Sequence, residues 1–409
     1  MIPPVETTTP GQRVLLLEGI HDAAAERFRA AGFEVSTDSA SLSPAELAVR
    51  MDGVTVLGIR SKTQLTREVI DSAADLAVVG AFCIGTNQID LNACLARGIA
   101  VFNAPFANTR SVVEMALGEI IAMFRDLFRK NELLHAGVWE KRSAGAREIR
   151  GKRLGIVGYG NIGSQLSVLA EAMGMEVWYY DVAEKLALGN ARAARSLKEL
   201  LAGSDVVSIH VDGNRNNANL IGAPEFAAMK DGAVFINLSR GFVVDLEALR
   251  QALVSGKVRA AAIDVFPEEP EVDGEAFESS LRGLPNVILT PHIGGSTGEA
   301  QKNIGDFVPD RLLDFLLRGS TNLSVNFPNL QLPEIQGAHR VVHVHRNVPG
   351  ILARINQVMA ARQINITGQY LKTNETIGYV ITDIGQDYDD GLANELRAIP
   401  ETIRVRVLY

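Results

Sequence analysis

The chain has 409 residues, 47% of them apolar and 22% charged, with a formal net charge of −8. That length exceeds what one hydrophobic core supports, so two or three domains are expected. The acidic balance argues against a nucleic-acid partner, and no apolar run is long enough for a membrane span.

The opening stretch, MIPPVETTTPGQR, has neither a basic start nor an apolar core, so it reads as a loose arm and not as a secretory leader. A strand–helix rhythm then sets in. RVLLLEG, VTVLGIR, LAVVGAF and IAVFNAP read as strands. Helical patterns lie between them, at Ala25, Phe28 and Ala31, at Arg67 to Ala74 and at Leu91 to Arg97. The alternation predicts a parallel, doubly wound α/β unit. Such sheets collect ligands at the carboxyl ends of their strands. The ends here offer Arg60, Ser61, Lys62, Asn103, Asn108 and Arg110, a cationic rim suited to an anionic substrate. Cys83 and Cys94 have no metal-ligand partners nearby, so no metal site is expected. They read as incidental thiols of a reducing cytoplasm. Ser111 and Glu114 have capping-box spacing, which predicts a helix from Ser111 to about Leu134. A short loop with Trp139 and Lys141 follows.

Leu154 to Asp181 then reads as strand, glycine-rich turn, helix, strand and acid. Gly158, Gly160 and Gly163 form G-x-G-x-x-G. The first glycine makes the tight turn, the second admits a pyrophosphate, and the third lets helix and strand pack closely. The helix N-terminus offers N–H groups and partial positive charge to the phosphates. Asp181 sits where a carboxylate accepts the ribose hydroxyls and repels a 2′-phosphate, which favours NAD over NADP. A bare glycine turn would lack the ordered strand, helix and acid around it. Strands VVSIHV, AVFINLSRG, AAAIDVF and VILTPHIGG continue the rhythm and predict a second doubly wound sheet. A helix from Glu299 to Leu317 returns toward the first unit. Residues 318–338, rich in Asn, Pro and Ser, read as a linker. The tail reads β-α-β-β-α-β, the ferredoxin-like order.

Three strand ends of the second sheet carry Arg240, then Asp264 and Glu269, then His292. Singly, each has an ordinary reading as a salt-bridge partner, a solvated loop or a structural histidine. Together, beyond a nucleotide turn, they suit oxidation of a 2-hydroxy acid. Arg240 would fork onto a carboxylate, His292 would take the hydroxyl proton, and Glu269 would hold the other ring nitrogen.

The stretches GIRSKTQLT, FCIGTNQIDL, FNAPFANTRSV, GIVGYGNIG, INLSRG, AAIDVFPEEP, LTPHIGGST and VHVHRNVPG make the chain similar to the D-isomer-specific 2-hydroxyacid dehydrogenase family. Within it, the chain resembles the branch that oxidises D-3-phosphoglycerate to 3-phosphohydroxypyruvate with NAD. The resemblance implies two Rossmann-like domains and a C-terminal ACT domain, a homotetramer, and L-serine as feedback inhibitor. It divides the chain into a substrate domain (1–107 with 300–327), an NAD domain (108–299), a linker (328–338) and the ACT domain (339–409). It implies catalysis by Arg240, Glu269 and His292. Cofactor contacts fall on Gly158, Gly160, Asn161, Ile162, Gly163, Asp181, Leu238, Ser239, Arg240, Asp264, His292, Ile293, Gly294 and Gly295. Substrate contacts fall on Arg60, Ser61, Lys62 and Asn108, with Lys141 reaching a neighbouring subunit's site. Serine contacts fall on His345, Asn347 and Asn365. Several positions depart from the family pattern. Lys62 stands for an arginine and Asn161 for a histidine. Arg346 and Val348 replace an acid and a base, and Gln336-Gly337 replaces a glycine pair. The last two changes imply shallower inhibition by serine. Two alternatives share the scaffold: reduction of hydroxypyruvate, glyoxylate or 2-oxoglutarate, and an NAD-sensing binding protein like the C-terminal binding protein corepressors.

Overall fold

The computed structural model describes residues 12–270, 274–333, 339–385 and 390–408. Residues 1–11 of the N-terminal arm and Gln336-Gly337 lie outside the described residues, and the arm's last residue, Arg13, opens the first strand. The chain forms two compact units, Met1–Pro105 with Gln301–Tyr409 and Phe106–Ala300.

The first unit begins with strands β1 (Arg13–Leu16), β2 (Glu34–Thr37), β3 (Val54–Ile59), β4 (Val78–Ala81) and β5 (Ala100–Phe102). Helices α1 (Asp22–Ala30), α2 (Pro44–Arg50), α3 (Arg67–Ser72) and α4 (Leu91–Ala96) alternate with them. The strands are all parallel, in the order β2-β1-β3-β4-β5, as in doubly wound sheets. Leu15, Leu57, Val79 and Val101 form the spine of the core beneath α2, α3 and α4. The four expected strands form. The edge strand β2 adds a fifth that the apolar pattern does not signal.

The second unit opens on α5 (Thr109–Arg125) and α6 (Leu127–His135). The single helix expected from Ser111 to about Leu134 is thus two, broken at Asp126, whose φ is +55°. Ser111 is not the cap. The helix starts earlier, after Asn108, and the Ser111 hydroxyl instead pairs with that of Thr297 at 2.8 Å. Seven strands follow: β6 (Arg153–Val157), β7 (Glu176–Tyr180), β8 (Arg192–Ala193), β9 (Val206–Ile209), β10 (Ala233–Asn237), β11 (Val258–Ile263) and β12 (Val287–Leu289). Between them lie α7 (Asn161–Ala172), α8 (Leu197–Gly203), α9 (Ala223–Ala228) and α10 (Leu246–Val254). The order β12-β11-β10-β9-β6-β7-β8 reverses direction at β6 and β9. A parallel sheet opens its ligand crevice at that switch point.

The first unit resumes along α11 (Gly298–Arg318) and ends in the tail. The tail comprises β13 (His339–Arg346), α12 (Ile351–Ala361), β14 (Ile366–Thr373), β15 (Ile377–Ile384), α13 (Asp390–Arg397) and β16 (Thr402–Val407). Its antiparallel order, β14-β15-β13-β16, is the expected ferredoxin-like one. A helix leaves its last carbonyls unsatisfied. Here the tail satisfies those of α11. Arg406 donates to the Leu316 carbonyl at 2.7 Å, Arg340 to Arg318 at 3.0 Å, and the Tyr379 hydroxyl to Gly319 at 2.8 Å. Arg340 also forks onto Asp383, directly opposite on β15, at 2.7 and 2.9 Å, with both side chains fully buried.

Candidate active site

The turn after β6 is shaped by what its glycines exclude. At Gly158, with φ +92°, a Cβ would lie 2.7 Å from the His210 carbonyl carbon. At Gly163 it would lie 2.3 Å from the Gly158 carbonyl oxygen, so α7 presses directly on the strand. Gly160 has open space on its Cβ side and caps α7 without a side-chain bond. The first-turn N–H groups of α7 are therefore available to an anion. Asp181 braces this turn, one carboxylate oxygen accepting the Tyr159 N–H at 2.8 Å and the other that of Ala183 at 2.9 Å. Each oxygen keeps a lone pair for a sugar hydroxyl. The arrangement fits a dinucleotide.

The three polar strand ends converge on one another. After β10, the Asn237 side chain accepts from the Ser239 N–H and hydroxyl and donates to the Arg240 carbonyl at 3.0 Å. That knot sets Arg240. Leu238 and Ser239 are both buried, and the Ser239 carbonyl accepts from the Arg240 guanidinium at 2.7 Å. Gly241 must be glycine, since a Cβ would lie 1.9 Å from the Phe266 carbonyl carbon. Close approach of the two turns follows, and Glu269 folds back to accept the Phe266 N–H at 3.0 Å.

Glu269 Oε2 lies 2.8 Å from His292 Nδ1. The carboxylate accepts the Nδ1 proton, which leaves Nε2 as the free base of the neutral ring. The hydrogen bond raises the imidazole above its ordinary pKa, against burial. Burial alone would push the Glu269 carboxyl up. The hydrogen bond and charge of His292, the Phe266 N–H and the Arg240 charge outweigh it and hold the group below the usual carboxylate range.

The loop carrying His292 hangs on Asp264. One oxygen of this buried acid accepts the Thr290 hydroxyl at 2.6 Å and the Ile293 N–H at 2.9 Å, and the other accepts the Gly294 N–H at 2.8 Å. Burial still raises its pKa above the ordinary value, although those donors oppose it. Asp264, expected as a cofactor contact, thus accepts three donors of the loop. Gly295 packs on Asn108, whose Nδ2 a Cβ there would meet at 2.2 Å.

Asn161 is exposed, while Ile162 packs on the core beneath α7. Lys141 is exposed in the segment after α6. Arg60, Ser61 and Lys62 form the turn after β3, in the first unit. In the tail, His345 is fully buried, its Nδ1 2.7 Å from the Arg346 carbonyl and its Nε2 without a partner. Asn347 and Asn365 are exposed, Arg346 is exposed, and Val348 packs on the tail core. Sequence reasoning missed Asn237, Thr290 and a buried glutamate, Glu119, on α5. Among the described residues no cluster of His, Cys, Asp and Glu could hold a metal, and no helix is long and apolar enough to cross a membrane.

A nucleotide turn beside an arginine and a carboxylate-backed histidine defines an NAD-dependent oxidoreductase. Comparison with known proteins agrees. Residues 117–294 match the NAD-binding domain of the D-isomer specific 2-hydroxyacid dehydrogenases, and residues 341–404 match an AHAS small subunit-like ACT domain. The D-3-phosphoglycerate dehydrogenase of Haemophilus influenzae is 50% identical over 97% of both chains, and that of Escherichia coli 48% over 97% of both. Among solved structures, the TT0316 protein of Thermus thermophilus is 32% identical with a TM-score of 0.68, covering 75% of this chain and 97% of its own. A D-lactate dehydrogenase of Aquifex aeolicus complexed with NAD and lactic acid is 26% identical with a TM-score of 0.67, covering 77% and 100%. The chain belongs to the D-isomer specific 2-hydroxyacid dehydrogenase family, in its ACT-domain D-3-phosphoglycerate dehydrogenase branch.

Proposed function

We propose that the protein oxidises D-3-phosphoglycerate to 3-phosphohydroxypyruvate, the first step of serine synthesis, in the cytoplasm. The carrying observation is the 2.8 Å contact between His292 Nδ1 and Glu269 in a chain half identical to a D-3-phosphoglycerate dehydrogenase. Gly158 to Gly163, Asp181 and the 292–295 loop hold NAD, which supplies the hydride acceptor. Arg240 binds the substrate carboxylate and its C2 oxygen as a fork. His292 Nε2 takes the C2 hydroxyl proton, and Glu269 stabilises the imidazolium that forms. Arg60, Ser61, Lys62 and Asn108 receive the rest of the substrate, and Lys141 reaches a neighbouring subunit. His345, Asn347 and Asn365 bind L-serine, which inhibits, and four chains assemble through nucleotide-domain and tail contacts. A light-scattering mass of one chain, 44.1 kDa, would overturn the assembly.

The test is NADH absorbance with D-3-phosphoglycerate, and with phosphohydroxypyruvate in reverse, with and without L-serine. Turnover suppressed by serine supports both the site and its control. Turnover indifferent to serine leaves the enzyme and removes the control. No turnover in either direction overturns the reading.

A further inference from the structure

Glu18 follows β1 and is buried, with its backbone in the left-handed region at φ +60°. Its carboxylate grips the turn after β3. Oε1 accepts the N–H of Arg60 at 3.1 Å and of Thr63 at 2.9 Å, and Oε2 accepts that of Lys62 at 3.0 Å. Hydrogen bonds to an ionised acceptor are the strong ones. A concave run of N–H groups is also a ready anion site. Here the protein fills that site with its own carboxylate.

Two further contacts hold the turn. The Arg60 carbonyl accepts from the buried Gln88 amide and, at 3.6 Å, from the Cys83 thiol. The unusual backbone of Glu18 is pinned in turn: its N–H donates to Ala40 at 3.1 Å, and that of Gly19 to Asp38 at 3.1 Å. Of the N–H groups in residues 60–63, only that of Ser61 has no partner among the described residues. The Ser61 and Lys62 side chains are exposed, Arg60 is half-buried, and neither cation is in an ion pair among the described residues.

We propose that Glu18 is a positioning residue for the phosphate end of the substrate. By occupying the inner N–H groups of the turn, it leaves the Ser61 N–H, the exposed Lys62 side chain and the half-buried Arg60 side chain, whose Nη1 donates to the Glu18 carbonyl at 3.4 Å, as one preformed anion receptor. This rests on the reading above that the turn meets the phosphate of D-3-phosphoglycerate.

The test is Glu18→Gln. The amide keeps the shape but turns an N–H₂ toward N–H donors, so part of the grip is lost. KM is measured for phosphohydroxypyruvate and for hydroxypyruvate, the same acid without phosphate, with thermal unfolding as a check on folding. The expected result is a KM for the phosphorylated acid raised at least tenfold more than that for the unphosphorylated one, with kcat changed far less. A merely structural role would move both KM values together, and that outcome, like no change in either, overturns the proposal. Should Glu18→Gln fail to fold, Gln88→Leu releases the Arg60 carbonyl from the other side and is read by the same ratio. Wild-type protein inactive on the phosphorylated acid sinks the functional reading and this proposal with it. An active wild type with an unmoved ratio sinks the proposal alone.

Discussion

At His292 the backbone is left-handed, with φ +54°, a conformation that costs a non-glycine residue energy. The three hydrogen bonds that Asp264 accepts from Thr290, Ile293 and Gly294 hold it there. The aim of Nε2 is thus set by the loop, and its basicity by Glu269. Oxidation of an alcohol needs the neutral ring, so kcat/KM for oxidation rises as pH climbs through the raised pKa of His292, and that for reduction falls. In Glu269→Gln the raising charge is gone. The acid limb of the oxidation profile then shifts to lower pH and the plateau falls roughly 10²–10⁴-fold. A pH–rate profile whose limb does not move would assign that limb to another group. Glu119 makes a different prediction. It is buried on α5 with neither carboxyl oxygen partnered, and burial, helped by the Asp264 charge, pushes its pKa from 4.5 up to about 8. Between those values the folded protein keeps a proton that the unfolded chain has lost. Stability therefore falls as pH rises through that window, by about 1.4 kcal/mol per unit. Glu119→Gln stays neutral and removes that slope. Urea midpoints at pH 5 and pH 8 should show the variant gaining on the wild type only at pH 8. An equal difference at both would refute it.

The Arg340–Asp383 fork bridges β13 and β15 and reaches the end of α11. Arg340 bonds the acid, the Arg318 carbonyl and, at 2.9 Å, the Pro333 carbonyl, so its donors are well satisfied although it is fully buried. A buried charge stripped of its partner is costly where the intact pair is near neutral. Asp383→Ala is expected to lower stability by about 3–5 kcal/mol. Arg340→Met with Asp383→Leu should recover most of that in urea unfolding. A double variant as unstable as the single one would show that the fork has its own net worth. Elements of this kind differ in how far the sequence reveals them. Buried strands such as β9 and β10 announce themselves as apolar runs, and every tail element is legible from its alternation. Strand β2, EVST, is largely exposed and carries no such run, so only its neighbour β1 defines it. The break at Asp126 is hidden for the opposite reason. The sequence FRDLFR keeps helical periodicity straight through it, and only a left-handed φ separates α5 from α6. A real capping box, Ser43 with Glu46, starts α2, while the one read at Ser111 lies inside a helix.

Across the whole molecule, the sheets share a device. Each parallel sheet places a buried acid just past one strand and lets it grip backbone N–H groups past another, Glu18 for the turn after β3 and Asp264 for the loop after β12. The side chains proposed for the chemistry were named from motif spacing and strand ends, and of these Glu269 and His292 meet at 2.8 Å with the Arg240 charge acting on both. The acids that hold the loops were not readable in that role. Their partners are main-chain groups, which every residue has and no side-chain pattern marks. For Glu18 this separation reaches into inheritance. The acid is encoded 42 positions before Arg60, so a crossover between those codons parts the turn from the residue that shapes it. A designer who transplants residues 60–63 alone moves the cations without the acid that accepts their N–H groups, whereas moving residue 18 with them keeps that grip.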